Sequence, residues 1–131
     1  LARRALTVLH LHPTHIVAAL YAGRNLAELS ADFPEVTRYT RVGPNIPALP
    51  ATSTELAEAC EAAFQPALGP APHILGLDRH GVVAVGKTPW EAFEHVERLE
   101  HICRIALAAG HRHIHHPDAI DEETGHVTRR L

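Results

Sequence analysis

The chain of 131 residues has no methionine, one tryptophan and only two cysteines. Because methionine is absent even from the first position, we expect the sequence to begin inside a longer polypeptide. Cys60 and Cys103 lack the CxxC spacing of a redox pair or a zinc knuckle, and both lie in apolar segments with a helical pattern. This arrangement predicts two reduced, buried thiols rather than a disulfide.

The chain also lacks an excess of one charge and any long apolar run. Its 12 basic and 15 acidic side chains are mixed along the sequence, without the basic stripe of a nucleic-acid-binding protein. No segment approaches the roughly 20 apolar residues that cross a membrane, and no charged-then-apolar leader opens the chain. We therefore expect a cytoplasmic protein without nucleic-acid or membrane partners. A hydrophobic fraction of 46% predicts one globular domain with a core.

The first half of the chain predicts a strand, a helix and then loops. Apart from His10 and His12, residues 5–12 are aliphatic or β-branched, which is typical of a buried strand. Pro13 ends it because proline cannot donate to a strand ladder. Apolar residues at helical intervals then predict a short helix that stops at Gly23. Residues 24–52 contain four prolines and favour loops with at most one short strand.

The second half predicts two helices around a hairpin. Hydroxyl side chains near residue 52 are expected to cap a helix that runs to about Gln65. Residues 73–77 and 82–86 predict a hairpin, with Gly81 supplying an unusual backbone angle in its turn. Thr88 is expected to cap the longest helix, which continues to Gly110. We assign its polar face mostly to Glu91, Glu94, His95, Glu97, Arg98, Glu100 and His101.

Histidine is abundant, with 12 residues in the chain. Five of them lie in residues 111–131, which hold few apolar side chains and which we separate as a His-rich polar tail from a domain of residues 1–110. Adventitious metal binding by this tail is one alternative to a dedicated site.

A second and more specific arrangement of histidines lies at the end of the first strand. Residues two apart on a strand point to the same face, with Cα atoms about 6.5 to 7 Å apart. His10 and His12 can therefore bind one ion side by side, at a strand end, where sites in α/β sheets commonly lie. By itself this spacing is common by chance in a chain so rich in histidine.

Further motifs follow in a characteristic order. The sequence has His10-Leu11-His12-Pro13, then His80-Gly81 and Gly86, and then a helix with Glu91-Ala92 and Glu97-Arg98-Leu99-Glu100. From about residue 5 to residue 109 the chain resembles the class II aldolase/adducin family, and within it the L-fuculose-phosphate aldolases. In that family an HxHP strand end precedes an NHGxxxxG turn and a glutamate-rich helix.

The resemblance implies a fold and a metal site. The fold is a three-layer αβα sandwich with a largely antiparallel central sheet, of which this chain is the C-terminal part. The metal is Zn²⁺ or another divalent ion, held by His10, His12 and His80. The resemblance also implies a homotetramer.

The reaction implied is that of a lyase of carbohydrate metabolism, which cleaves a ketose phosphate through an enediolate that the metal stabilises. The substrate would be a small phosphorylated sugar. A sugar-phosphate 4-epimerase, a dehydratase of the same family and a non-catalytic adducin-like module remain alternatives.

Proton transfer in this chemistry needs a base, and the resemblance implies that some members use a carboxylate in the loop after HxH. Glu35 is our candidate, and a solvated loop carboxylate is its other interpretation. His15 could contact a metal-binding histidine without binding the metal itself, although a position at the surface or at the edge of the core fits it better. Tyr21 and Tyr39 could donate a proton or simply pack, and Asp78 could orient a histidine or serve only in its turn.

Overall fold

A computed structural model of the chain describes residues 7–110 and two short strands farther on. The elements are β1 (Thr7–Leu11), α1 (Thr14–Tyr21), α2 (Leu26–Ser30), α3 (Pro34–Thr37), α4 (Thr54–Phe64), β2 (Ile74–Leu77), β3 (Gly81–Gly86), α5 (Pro89–Ala108), β4 (Ala119–Ile120) and β5 (Val127–Thr128). The strands β4 and β5 pair with each other, antiparallel. The histidines of the predicted tail lie outside the described residues, so the prediction for that segment stays a prediction.

The main sheet has three strands in the order β1-β3-β2, and every pair is antiparallel. β2 and β3 form the predicted hairpin, whereas β1 reaches β3 from the other end of the chain. In this pairing Thr7 lies opposite Gly86, and Leu11 lies opposite Val82. The end of β1 therefore meets the start of β3.

Each face of the sheet packs against helices. On one face Leu9, Leu11, Val82 and Ala84 belong to the larger core, to which α1 and α5 contribute. On the opposite face Val83 and Val85 pack with Leu75, Leu77 and residues of α4, including Phe64. Alternate strand residues point to opposite faces, so one sheet serves both cores. Helices thus lie on both sides of an antiparallel sheet, which confirms the predicted αβα fold class.

The helix α5 forms as predicted. The side chain of Thr88 accepts a hydrogen bond from the backbone N–H of Glu91, and Pro89 occupies the first turn. Leu99 and Cys103 are completely buried on its apolar face. Both cysteines are free and buried, as expected. Of the helices in the described part of the chain, none is long and apolar enough to cross a membrane.

The prediction for residues 24–52 was wrong in its secondary structure. The segment contains α2 and α3, helices of five and four residues, and forms only isolated parallel bridges with β2 at Val42 and Ile46. Asn25 caps α2 by accepting from the N–H of Glu28, and Pro34 begins α3. Helices this short complete little more than one turn, so no repeating apolar face marks them in the sequence.

His95 does not lie on the polar face of α5, contrary to the prediction. Only 5% of its surface is exposed. Its Nδ1 lies 2.8 Å from the Thr40 hydroxyl, and its ring stacks on that of His73 with centroids 4.2 Å apart. Burial, followed by the neighbouring His73 and Arg98, lowers the pKa of His95 to about 4. The residue therefore packs as a neutral ring against Thr40, which follows α3, and His73, which precedes β2.

This burial predicts that the protein loses stability in mild acid. The pKa of His95 is about 4 when folded and about 6.5 when unfolded, so its contribution is complete above pH 6.5 and is lost as the pH falls towards 4. We expect a loss of up to about 3 kcal/mol from this residue. His95→Gln cannot titrate, so urea unfolding between pH 7 and 4.5 should give a shallower pH dependence for this variant. Parallel pH profiles for the two proteins would contradict the prediction.

Candidate metal centre

The first two candidate ligands lie on one face of β1 and just beyond its end. Residues Thr7, Leu9 and Leu11 turn towards the core, while the alternate residues Val8 and His10 are exposed. His12 follows the strand by one residue and is also exposed. Strand alternation therefore gives His10 a side chain open to solvent and fixes the backbone beneath it in the sheet.

His80 reaches the same place from the turn between β2 and β3. Its backbone N–H donates to the carbonyl of Leu77 at 3.0 Å, which closes the turn. The pairing of Leu11 with Val82 then places this turn beside the end of β1. Hydrogen bonding of the sheet thus brings together histidines from distant parts of the chain.

The three histidine rings form a compact cluster. Their centroids are 4.9 Å apart for His10 and His12, 4.8 Å for His10 and His80, and 5.2 Å for His12 and His80. One ring nitrogen from each residue lies within 4.8 Å of the other two. Among residues 7–110 this is the one group of three or more histidine, cysteine or carboxylate side chains close enough to hold a metal ion.

The hydrogen bonding of His10 prepares its outer nitrogen for a ligand. Nδ1 lies 2.8 Å from the carbonyl oxygen of Val82, which can only accept, so Nδ1 carries the proton. The Nε2 atom then carries no proton, and without a metal ion it can accept from the Nε2 of His12, which lies 3.2 Å away. Nitrogen ligands of one tetrahedral zinc ion lie about 3.4 Å apart. This donor set therefore fits a divalent ion such as zinc.

Gly81 has a different role from the one predicted. The positive backbone angle of the turn belongs to Arg79, with φ 54°, and not to Gly81. A Cβ atom on Gly81 would clash with the carbonyl oxygen of Leu11 and would lie 2.7 Å from Cδ2 of His12. Glycine is needed here because β3 passes directly against the end of β1 and the His12 ring.

The surroundings of His80 favour the neutral form of its ring. Partial burial lowers its pKa from the ordinary value, and the neighbouring His10 and His12 lower it further. A neutral imidazole is the form that binds a metal ion, because the ring nitrogen must be free of its proton.

Asn45, to which no role was assigned, braces the turn that carries His80. Its side-chain NH₂ donates to the carbonyl of Arg24 at 2.8 Å and to the carboxylate of Asp78 at 3.2 Å. Its side-chain oxygen accepts from the N–H of Leu26 at 3.2 Å. Asp78 thus fixes the turn through Asn45, in agreement with the interpretation of Asp78 as a turn residue. A single asparagine in a proline-rich loop carries no pattern that would have predicted this contact.

The other candidate residues lie apart from the cluster of histidines. Glu35 is exposed in the first turn of α3 and is not one of the three clustered groups. His15 bonds to Glu100 rather than to a metal-site histidine. Tyr21 and Tyr39 are 66% and 53% exposed. Neither tyrosine is a core residue.

Sequence comparison identifies the family. The profile of the Class II Aldolase and Adducin N-terminal domain matches residues 2–107. The chain belongs to this family. The HxHP strand end and the His80-Gly81 turn, which carried the resemblance, both lie within the matched part. No curated protein sequence matches the chain.

Solved structures of class II aldolases are similar to the chain. A sugar-phosphate aldolase from Thermotoga maritima has 25% identity and a TM-score of 0.62, over 79% of this chain and 45% of its own. The L-fuculose-1-phosphate aldolase from Thermus thermophilus has 26% identity and a TM-score of 0.60, over 81% and 54%. The YgbL protein of Klebsiella pneumoniae, at 23% identity, shares the fold with a TM-score of 0.66, over 88% and 53%. The chain thus spans about half the length of these class II aldolase structures.

The contact at Gly81 predicts that Gly81→Ala disturbs the cluster directly. Its Cβ must displace the Leu11 carbonyl or the His12 ring, so we expect a loss of about 1–3 kcal/mol in unfolding free energy and weaker binding of zinc. Urea unfolding and zinc titration by calorimetry measure the two effects. Gly69→Ala is the matched control, since it places alanine at φ 81° with no atom within 4 Å. Equal zinc affinity in the two variants would contradict the prediction.

Proposed function

We propose that this chain is the metal-binding part of a zinc-dependent aldolase that cleaves a ketose phosphate. The observation that carries the proposal is the convergence of His10, His12 and His80, which brings three nitrogen donors together at the edge of the sheet. Membership of the class II aldolase family and similarity to two sugar-phosphate aldolases support the reaction class. The proposed assembly is a homotetramer, as the family resemblance implies.

The composition of the cluster suits carbonyl chemistry. Three neutral imidazoles leave the full charge of a divalent ion available, and a three-ligand site keeps a position open for substrate. A bound zinc ion would supply Lewis-acid polarisation of a substrate carbonyl oxygen. The exposure of His10 and His12 leaves room for a sugar phosphate on the solvent side of the cluster.

The protein's own groups would hold the site in its working geometry. The Val82 carbonyl fixes the ring orientation and the protonated nitrogen of His10, because it accepts from Nδ1. The missing side chain of Gly81 lets the β3 backbone approach His12. The Asn45–Asp78 hydrogen bond anchors the turn that carries His80. Val82 thus supports His10, Gly81 supports His12, and the Asn45–Asp78 contact supports His80.

The proton acceptor that we propose is Glu35. Its carboxylate is exposed in the first turn of α3, and the proposal rests on the family resemblance, which implies a carboxylate base in the loop after HxH. Glu35 would remove the hydroxyl proton of the ketose phosphate as the carbon–carbon bond breaks, which gives an aldehyde and the enediolate of dihydroxyacetone phosphate. Return of a proton to the enediolate carbon would then complete dihydroxyacetone phosphate.

Metal binding is the primary test of the site. We expect the purified chain to bind one zinc ion at the cluster of His10, His12 and His80. His80→Ala should raise the Kd for zinc at least about 100-fold, because one of three ligands is lost. Elemental analysis and calorimetric titration measure stoichiometry and affinity. His101→Ala, an exposed histidine of α5, is the matched control. A chain without residues 111–131 should keep the site, and loss of all zinc binding in it would assign the metal to the tail instead.

Cleavage is the test of the reaction. With L-fuculose 1-phosphate or a related ketose phosphate, we expect release of dihydroxyacetone phosphate, which a coupled NADH assay detects. Chelation should abolish the rate and zinc should restore it. Glu35→Gln should lower kcat at least about 100-fold with zinc affinity unchanged, because only proton transfer is removed. If the chain binds zinc but converts no sugar phosphate, the result would favour the non-catalytic module. An epimerised sugar phosphate as the product would favour the epimerase.

A further inference from the structure

The helix that follows the HxHP motif begins without a cap of its own. Its N-cap position is Pro13, which has no side-chain hydrogen-bond acceptor, and its first turn contains no acidic residue. The first N–H groups of any helix lack partners within that helix and need acceptors from elsewhere. The start of α1 therefore depends on a group from another part of the structure.

Glu100, on the distant helix α5, supplies these acceptors. Its Oε1 accepts from the backbone N–H groups of His15 and Ile16, both at 2.9 Å. Its Oε2 lies 2.6 Å from Nδ1 of the His15 ring. One carboxylate therefore satisfies two backbone donors and one side chain, and its charge also lies at the positive end of the α1 dipole.

The carboxylate is held firmly on its own helix. Glu100 lies next to Leu99 and near Ile102, which are 0% and 2% exposed in the core between α5 and the sheet. Its side chain is 28% exposed, so the three bonds are partly shielded from water. The position of Glu100 is thus fixed by core packing rather than by the contacts it makes to α1.

The segment that Glu100 fixes is continuous with the metal-binding histidines. His15 is three residues after His12, and Pro13, with φ −68°, joins strand to helix with little rotational freedom. On the other side, hydrogen bonds to β3 hold β1 up to Leu11. His12 therefore lies in a short span between two anchors, of which Glu100 is the second.

We propose that Glu100 is a positioning residue for the metal site, which rests on the proposed function. It anchors the start of α1 and thereby sets the place of His12 relative to His10 and His80. Each of its oxygens has a separate task, since one binds the backbone of α1 and the other binds the His15 ring. Loss of the carboxylate frees the α1 start and misplaces one ligand nitrogen without removing any ligand.

The affinity for zinc tests this role. We expect Glu100→Ala to raise the Kd for Zn²⁺ about tenfold, the usual order for a group that orients a metal ligand. The Kd of Glu100→Gln for Zn²⁺ should stay within about threefold of that of the unsubstituted chain, because the glutamine amide oxygen can still accept from the α1 backbone. Glu100→Asp provides a second impaired variant, whose shorter side chain withdraws the carboxylate. A Kd unchanged in both Glu100→Ala and Glu100→Asp would overturn the proposal.

The control removes a helix cap elsewhere. Ser53 caps α4 by accepting from the N–H of Leu56 at 3.1 Å, on the other side of the sheet. Ser53→Ala should lower the urea midpoint as Glu100→Ala does, yet leave the Kd for zinc within about twofold. If Ser53→Ala weakens zinc binding as much as Glu100→Ala, the effect is general destabilisation and the proposal fails.

A measurement without metal separates this proposal from the proposed function. In the metal-free chain, the NMR signals of the His10 and His12 rings should shift in Glu100→Ala and keep their positions in Ser53→Ala. Unchanged His12 signals in Glu100→Ala would overturn the positioning role, whatever the zinc affinity. Failure of the original chain to bind zinc would instead overturn the proposed function.

Discussion

The antiparallel pairing of β1 with β3 is the interaction on which the site depends. It joins the first strand of the described domain to a strand in its second half and places the end of β1 against the turn before β3. Backbone hydrogen bonds determine this register, and a shift by one residue would send His10 to the core face and Leu9 to solvent. Burial of Leu9 and Leu11 in the larger core resists that shift. The core and the histidine cluster are therefore fixed by the same register.

The two faces of the sheet divide structural and chemical tasks. One face of the sheet packs against α1 and α5. On the other face, α4 covers β2 and β3, but β1 is exposed to solvent. The histidines occupy that exposed part, and buried contacts surround it on its other sides. Such a place combines access for a ligand with a rigid backbone, which is what a preorganised site needs.

The sequence predicted the elements with strong local signals. The aliphatic and β-branched run of β1, the Thr88-Pro89 helix start and the glycines after α1 and α5 all have local physical causes, and the structure has elements at those places. The expectation that β1 is buried was wrong, because its alternate residues are exposed. The convergence of His80 with His10 and His12 was different in kind. No periodicity links residues so far apart, so only the resemblance to the family predicted it.

Other features could not be predicted because they depend on tertiary contacts. His95 has the sequence surroundings of a polar face, yet Thr40 and His73 contact it and it is buried. The contacts of Asn45 with Asp78 and of Glu100 with α1 each join segments that are distant in sequence. The positive φ at Arg79 likewise belongs to a turn whose shape the close approach of β1 and β3 constrains.

The separation of the histidines along the chain also links metal and folding. The hydrogen bond from His10 to Val82 spans 72 positions, so the unfolded chain can bring His80 to the HxH pair only by closing a long loop. An ion that binds all three residues would thus bind the folded state selectively and shift the folding equilibrium towards it. Under this linkage the free concentration of such an ion would set the fraction of the chain that is folded.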